Sequence, residues 1–255
     1  DFHSQAEKSI NQWVNKKTDR HIKEIINNLS PDSITVLLNA LTFDAKWTDE
    51  YEKSDVEMRE FNNYSGGKSD IEMMFSRENT YLKAENAEGF IKSYSGGDFA
   101  FAALMPNEGT DIYDFIVTLS GDKLSEILAD AEHRYVKAGI PKFSFEYSAD
   151  MNSVLKNMGV LNAFDEETAD FSNLGKSARG NIFISEVLHK SYIAVDQAGT
   201  EASAATAIIM KESGTPLREE DIKIVYLDRP FIFMILDREN NIPVFVGVVT
   251  YIKSE

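Results

Sequence analysis

Gly199-Thr200-Glu201-Ala202-Ser203-Ala204-Ala205-Thr206-Ala207 is the stretch on which the reading of this 255-residue chain turns. It lies between a strand ending near Val195 and another beginning near Ile222. That connection of about 25 residues is far longer than compact domains normally use, and such loops tend to be functional or disordered. Its composition is odd for a surface loop. From Thr200 to Ala207 there is no Gly or Pro, and every side chain except Glu201 is small and uncharged. Read with a period of two, Thr200, Ala202, Ala204, Thr206, Ile208 and Met210 make one uncharged face, opposed by Glu201, Ser203, Ala205, Ala207 and Ile209. A strand so slim on both sides can slide between existing strands without overpacking a core. An Ala-rich helix or a flexible tether is the plainer alternative, and composition taken alone favours it.

The rest of the chain frames this segment. Apolar residues make up 43% and charged ones 27%, a globular balance that argues against disorder. The net charge of −16 argues against a nucleic-acid binder, which would need a basic face. The basic positions Lys16, Lys17, Arg20 and Lys23 are diluted by Asp19 and Glu24 and read as a solvated helix face rather than a polyanion site. No apolar run approaches the ~20 residues that cross a bilayer. The first residues, Asp1-Phe2-His3-Ser4, carry neither an initiator Met nor a leader pattern. The expectation is either a processed chain or one that begins within a domain. There are no cysteines, so disulfides, zinc-cysteine sites and thiol catalysis are excluded.

Along the chain, Ser4-Gln5-Ala6-Glu7 predicts a capping box. A helical pattern follows at Ile10, Trp13 and Val14 and resumes at Ile22, Ile25, Ile26 and Leu29 after a polar break at Thr18 and Asp19. Ser33 to Phe43 is apolar and β-friendly enough to predict a strand covered on both faces. Residues 48–70 are charged, with Tyr64-Ser65-Gly66-Gly67 as a turn, and the same four residues recur at 94–97 as a second turn. Further strands are predicted at Phe99–Met105, Val136–Phe145, 181–187, 191–197, 222–227, 231–237 and 243–252, with Asn240-Asn241 closing a hairpin. Helices are predicted over 111–119, over 122–131, and from a Ser148 cap to Gly159. No linker divides the chain, so 1–255 reads as a single α+β domain.

Motifs for catalysis fail one by one. The Gly-x-Ser-x-Gly turn that would expose a nucleophile is absent. Gly67-Lys68-Ser69 and Gly175-Lys176-Ser177 have Asn62 and Asp170 where a phosphate-cradling loop needs glycine. His3, His21, His133 and His189 never stand at metal-ligand spacing. Carboxylate pairs mean little in a chain with 42 acidic residues. Neither an enzyme nor a cofactor is expected.

Gly199-Thr200-Glu201-Ala202-Ser203-Ala204-Ala205-Thr206-Ala207 resembles the hinge of inhibitory serpins. Leu188-His189-Lys190-Ser191-Tyr192-Ile193-Ala194-Val195-Asp196 looks like the strand feeding that hinge. Leu38-Asn39-Ala40-Leu41-Thr42-Phe43-Asp44-Ala45-Lys46-Trp47 resembles the strand lining the other side of the insertion gap. Asp228-Arg229-Pro230-Phe231-Ile232-Phe233 and Pro243-Val244-Phe245-Val246-Gly247 are similar to the family's C-terminal strands. The resemblance runs along the whole chain but answers to only the latter two-thirds of a serpin. The N-terminal helices and strands of the family are therefore expected elsewhere, for instance as a separate partner segment.

The resemblance implies a serpin fold, with a large mixed central sheet, further sheets and surrounding helices. It also implies a loop that inserts as a central strand once a serine protease has cut it. A strand of about 14 residues spans about 45 Å, far enough to carry an acyl-linked protease to the far end and distort its oxyanion hole and triad. Family spacing puts the scissile bond at Ser213-Gly214, which suits an elastase-like or subtilisin-like target, and the loop hinge at Gly199, Thr200, Glu201, Ala202, Ser203, Ala204, Ala205 and Thr206. Asn39 and His189 match a pair that latches the central strands, with His189 as a buried hydrogen-bonding group, and Trp47 matches the aromatic at the top of the gap. Gln197 stands where the family often has Glu. A carrier, chaperone or storage serpin is the alternative, and the small hinge residues argue against it. The lack of cysteine and the acidity resemble prokaryotic members, and extracellular action is the family's usual setting.

Overall fold

The computed structural model describes residues 2–30, 33, 35–178, 180–200 and 222–254. In chain order its elements begin with α1 (Phe2–Lys17), β1 (Val36–Thr42), β2 (Ala45–Lys46), β3 (Val56–Asn62), β4 (Lys68–Lys83), β5 (Ala87–Ser93) and β6 (Phe99–Pro106). Then come α2 (Ile112–Thr118), α3 (Gly121–Ala129), β7 (Glu132–Pro141), β8 (Phe143–Asp150) and α4 (Asn152–Asn157). The last are β9 (Glu186–Val195), β10 (Gly199–Thr200), β11 (Lys223–Tyr226), β12 (Phe231–Asp237) and β13 (Ile242–Val249). Two compact units result, one of residues 1–43 and 144–193, the other of residues 44–143 and 194–255. No helix of the described residues is long and apolar enough to cross a membrane.

In the first unit, α1 buries Val14 and ends where the hydroxyl of buried Thr18 donates to the Val14 carbonyl. Asp19 and Arg20, with φ of 44° and 75°, then reverse the chain. Ser4 lies inside α1 rather than at its cap, and the Glu7 carboxylate instead accepts from the Leu29 amide. The helical pattern at 22–29 does not produce a helix. Asn11 Oδ1 takes the amides of Ile25 and Ile26, at 2.9 and 3.2 Å, and so holds that segment extended while Ile22 and Ile26 are buried. β1 runs parallel to β9, from Val36 opposite Glu186 to Thr42 opposite Tyr192. β8 also pairs with β9. β1 is not covered on both faces as predicted, for Leu37 and Asn39 are exposed, Leu37 to 44%, and its other positions are half-buried. Ser148 falls within β8, and Asp150 Oδ1 accepts the Asn152 amide at the start of α4.

The second unit is built on an eight-stranded sheet in the order β11-β7-β4-β5-β6-β12-β13, with β3 paired to β4. β4 is a 16-residue strand that sequence reading left unassigned, although Ser69, Ile71 and Met73 are buried with a period of two. β6 and β12 are continuous apolar runs, buried at nearly every position, as central strands covered on both faces should be. Close packing between strands fixes Gly89, since a Cβ there would sit 1.8 Å from the Ala103 carbonyl oxygen. α2 and α3 lay Ile112, Phe115, Ile127 and Leu128 over Leu104, Ile232 and Met234 of the sheet. Their caps are Asp111, which accepts from the Tyr113 amide, and Ser120, which accepts from the Lys123 amide. The predicted hairpin joins β12 to β13, and Asn241 takes the left-handed conformation (φ 54°) at the turn.

Candidate hinge site

The second unit contains a small site at the root of the long connection. A tight turn leads into it. Asp196 Oδ1 accepts the amides of Ala198 and Gly199 at 2.8 and 3.2 Å, while the Asp196 amide donates to the Gly199 carbonyl. The chain emerges as β10, which pairs antiparallel with β2 on one side, Thr200 opposite Ala45, and with Val195 at the end of β9 on the other. The Trp47 amide donates to Ala198 O and the Tyr51 amide to Gln197 O, which extends the docking backward along the chain. Thr200 is fully buried. The first residue of the uncharged face therefore already occupies a place between two strand ends.

Aromatic rings floor the site. The hydroxyls of Thr200 and Tyr94 share a 2.5 Å hydrogen bond. Tyr94 stacks on Trp47 with centroids 4.5 Å apart and planes 7° from parallel, while Phe101 and Tyr51 meet the indole edge-on. The indole nitrogen of Trp47 donates to the Asp196 carbonyl at 2.9 Å, so one side chain ties the floor to the turn. Burial pushes the phenols of both Tyr51 and Tyr94 well above their ordinary value, and the nearby Glu78 carboxylate pushes Tyr51 in the same direction.

Beneath the rings lies a buried charge pair. Lys92 is 3% exposed and its Nζ stands 3.1 Å from Glu78 Oε1. The same ammonium lies 4.6 Å from the Tyr51 ring centroid and 5.4 Å from that of Trp47. Ser76 donates to Glu78 at 2.6 Å and lies 3.2 Å from the Tyr51 hydroxyl.

Of the residues singled out from sequence, Gly199, Thr200 and Trp47 come together here. Glu201, Ala202, Ser203, Ala204, Ala205, Thr206, Ser213 and Gly214 lie outside the described residues. In the first unit Asn39 and His189 face each other in the β1–β9 register. The expectation of a buried histidine is corrected, for His189 is half-buried beside Tyr147, at 6.4 Å between rings, and Asn39 is exposed. Sequence reading missed Tyr94, seen only as part of a turn, and missed Tyr51, Glu78 and Lys92 altogether. Among the described residues no cluster of His, Asp and Glu could hold a metal ion.

The root of the small-residue segment, Gly199 and Thr200, is thus paired between two strand ends. The chain belongs to the serpin family, whose model, described as serine protease inhibitor, matches residues 1–252. It is 34% identical over 245 residues to an uncharacterized serpin-like protein of Thermococcus kodakarensis, covering 96% of this chain and 56% of that protein. The native state of Tengpin, a thermophilic serpin, matches with a TM-score of 0.90 and 41% identity, over 98% of this chain and 64% of that one. Thyroxine-binding globulin in complex with thyroxine matches with a TM-score of 0.82 and 25% identity, over 98% of this chain and 65% of that one. The fold is thus the serpin fold, and the chain spans between about half and two-thirds of the length of these relatives.

Proposed function

We propose that this chain acts in a serine protease inhibitor of the suicide-substrate kind. Attack on the bait bond, assigned to Ser213-Gly214, frees a hinge that continues from β10 as a new strand and carries the acyl-linked protease with it. The docking of Thr200 between Ala45 and Val195 is the observation that carries this reading. Insertion extends pairing that has already begun, and the uncharged face beyond Thr200 costs little to bury. The energy source is bistability, since an uncut loop leaves pairing unmade that the cut loop completes. A small residue at the bait position suits elastase-like or subtilisin-like enzymes acting outside the cell. Asn39 and His189, facing each other on the two strands that must part, are assigned the latch.

The test is to mix the protein with pancreatic elastase or subtilisin and resolve the products on a denaturing gel. A band of the combined mass that survives detergent supports trapping. Complete cleavage with full residual protease activity overturns it and favours a carrier role, as the similarity to thyroxine-binding globulin would suggest.

A further inference from the structure

We infer that Lys92 and Glu78 are positioning residues for hinge docking, a buried charge pair that holds the Trp47–Tyr94 platform on which Thr200 sits. The inference rests on the inhibitory reading only for its consequence in protease trapping; docking itself is a property of the uncut chain.

A lysine 3% exposed and a carboxylate with an 11% exposed side chain are expensive to bury, and well-packed apolar residues of similar volume usually serve stability as well or better. Stability is therefore a weak reason for the pair, and its surroundings supply a better one. The ammonium faces one carboxylate oxygen and two rings, which fixes the tilt of Tyr51 and of Trp47 through cation–π attraction. Ser76 bonds Glu78 and Tyr51 together, so the carboxylate reaches the same ring by a second route. Trp47 then passes its orientation to the hinge twice, through its stack on Tyr94, which bonds Thr200, and through its indole N–H to Asp196 O in the turn. Without the cation the indole keeps its volume but loses the attraction that sets its angle, and both hinge contacts loosen together.

The chain has no cysteine, so Thr200→Cys supplies a single thiol at a fully buried position. Its labelling by a small maleimide reads docking with no protease present. In that background Lys92→Met with Glu78→Gln removes both charges together, so neither is left buried without its counter-charge. Labelling should rise about tenfold well below the melting temperature, as expected for a local opening. In the Thr200 parent the same pair of changes should lower the fraction of cleaved molecules that end as detergent-stable complex. Labelling within twofold of the single-thiol parent overturns the inference. So does an equal rise in Ile127→Ala, a cavity variant under α3 matched for loss of melting temperature, because the effect would then be general loosening. Should the double variant fail to fold, Ser76→Ala breaks the second route with both charges in place and should raise labelling about threefold; no rise overturns the inference. If labelling responds but no protease complex ever forms, the inhibitory reading fails and the positioning role stands.

Discussion

A Cβ at position 199 would fall 2.1 Å from the carbonyl oxygen of Ala45 and 2.7 Å from the Cα of Lys46. Both obstacles are backbone, so no rotamer change relieves them. Only glycine lets the root of the loop lie this close to β2. Gly199→Ala should therefore undock β10 while leaving the eight-stranded sheet intact. Hydrogen exchange at the Trp47 and Tyr51 amides, which donate to Ala198 and Gln197, should quicken about tenfold, with exchange in β6 and β12 unchanged.

Thr200→Arg should convert an inhibitor into a substrate. Position 200 is fully buried against Tyr94, so a guanidinium there must give up its hydration and displace the packed Tyr94 ring. Taking a charge out of water costs several kcal/mol, which weighs against docking the root of the loop. Cleavage by elastase should continue while detergent-stable complex disappears. Unchanged inhibition would remove insertion from the mechanism.

Trp47 should be worth more than its surface suggests. It is 1% exposed and joins the Asp196 carbonyl, Tyr94, Tyr51 and Phe101. Trp47→Ala should cost about 3–5 kcal/mol in urea denaturation. Trp47→Phe should lose about 1 kcal/mol for the missing indole hydrogen bond, beyond its change in volume. The other tryptophan, Trp13, is 56% exposed, so acrylamide should quench it and spare Trp47.

Alkaline pH should act on the same site. Burial raises the Tyr51 and Tyr94 phenols well above their ordinary value near 10. The folded state therefore holds these protons more tightly than the unfolded chain does. The resulting stability is complete below pH ~10 and is lost as pH climbs toward the raised values. Absorbance at the phenolate band should show these two phenols ionising only as the protein unfolds.

Much of this was legible in the chain itself, for identifiable reasons. β6 and β12 announce themselves because a strand covered on both faces has no polar position to hide it. The stretch beginning at Gly199 stands out in the sequence through what it lacks, charge and bulk, and its first two residues are the ones found docked. Other elements were masked by polar residues whose partners lie far off in sequence. β9 reads as two strands interrupted at His189 and Lys190, yet Lys190 reaches the Glu146 carboxylate and the Glu24 carbonyl, and the strand runs on. β4 hides behind Arg77, Glu78 and Asn79 for the same reason, since the Glu78 partner is supplied by β5. Asn11 straightening the segment at 22–29 is a fold-level contact that no local periodicity encodes. The platform under Thr200 joins residues from three separate stretches, and only Trp47 stood out beforehand.

β12 lies between β6 and β13, with Phe231 and Phe233 wholly buried. β11 meanwhile runs parallel to β7. A molecule nicked ahead of Ile222 thus keeps its carboxy-terminal piece as an internal subunit held without a covalent bond. Under gentle chromatography the nicked and intact forms should travel together, and the piece should come away only when detergent dissolves the sheet around it.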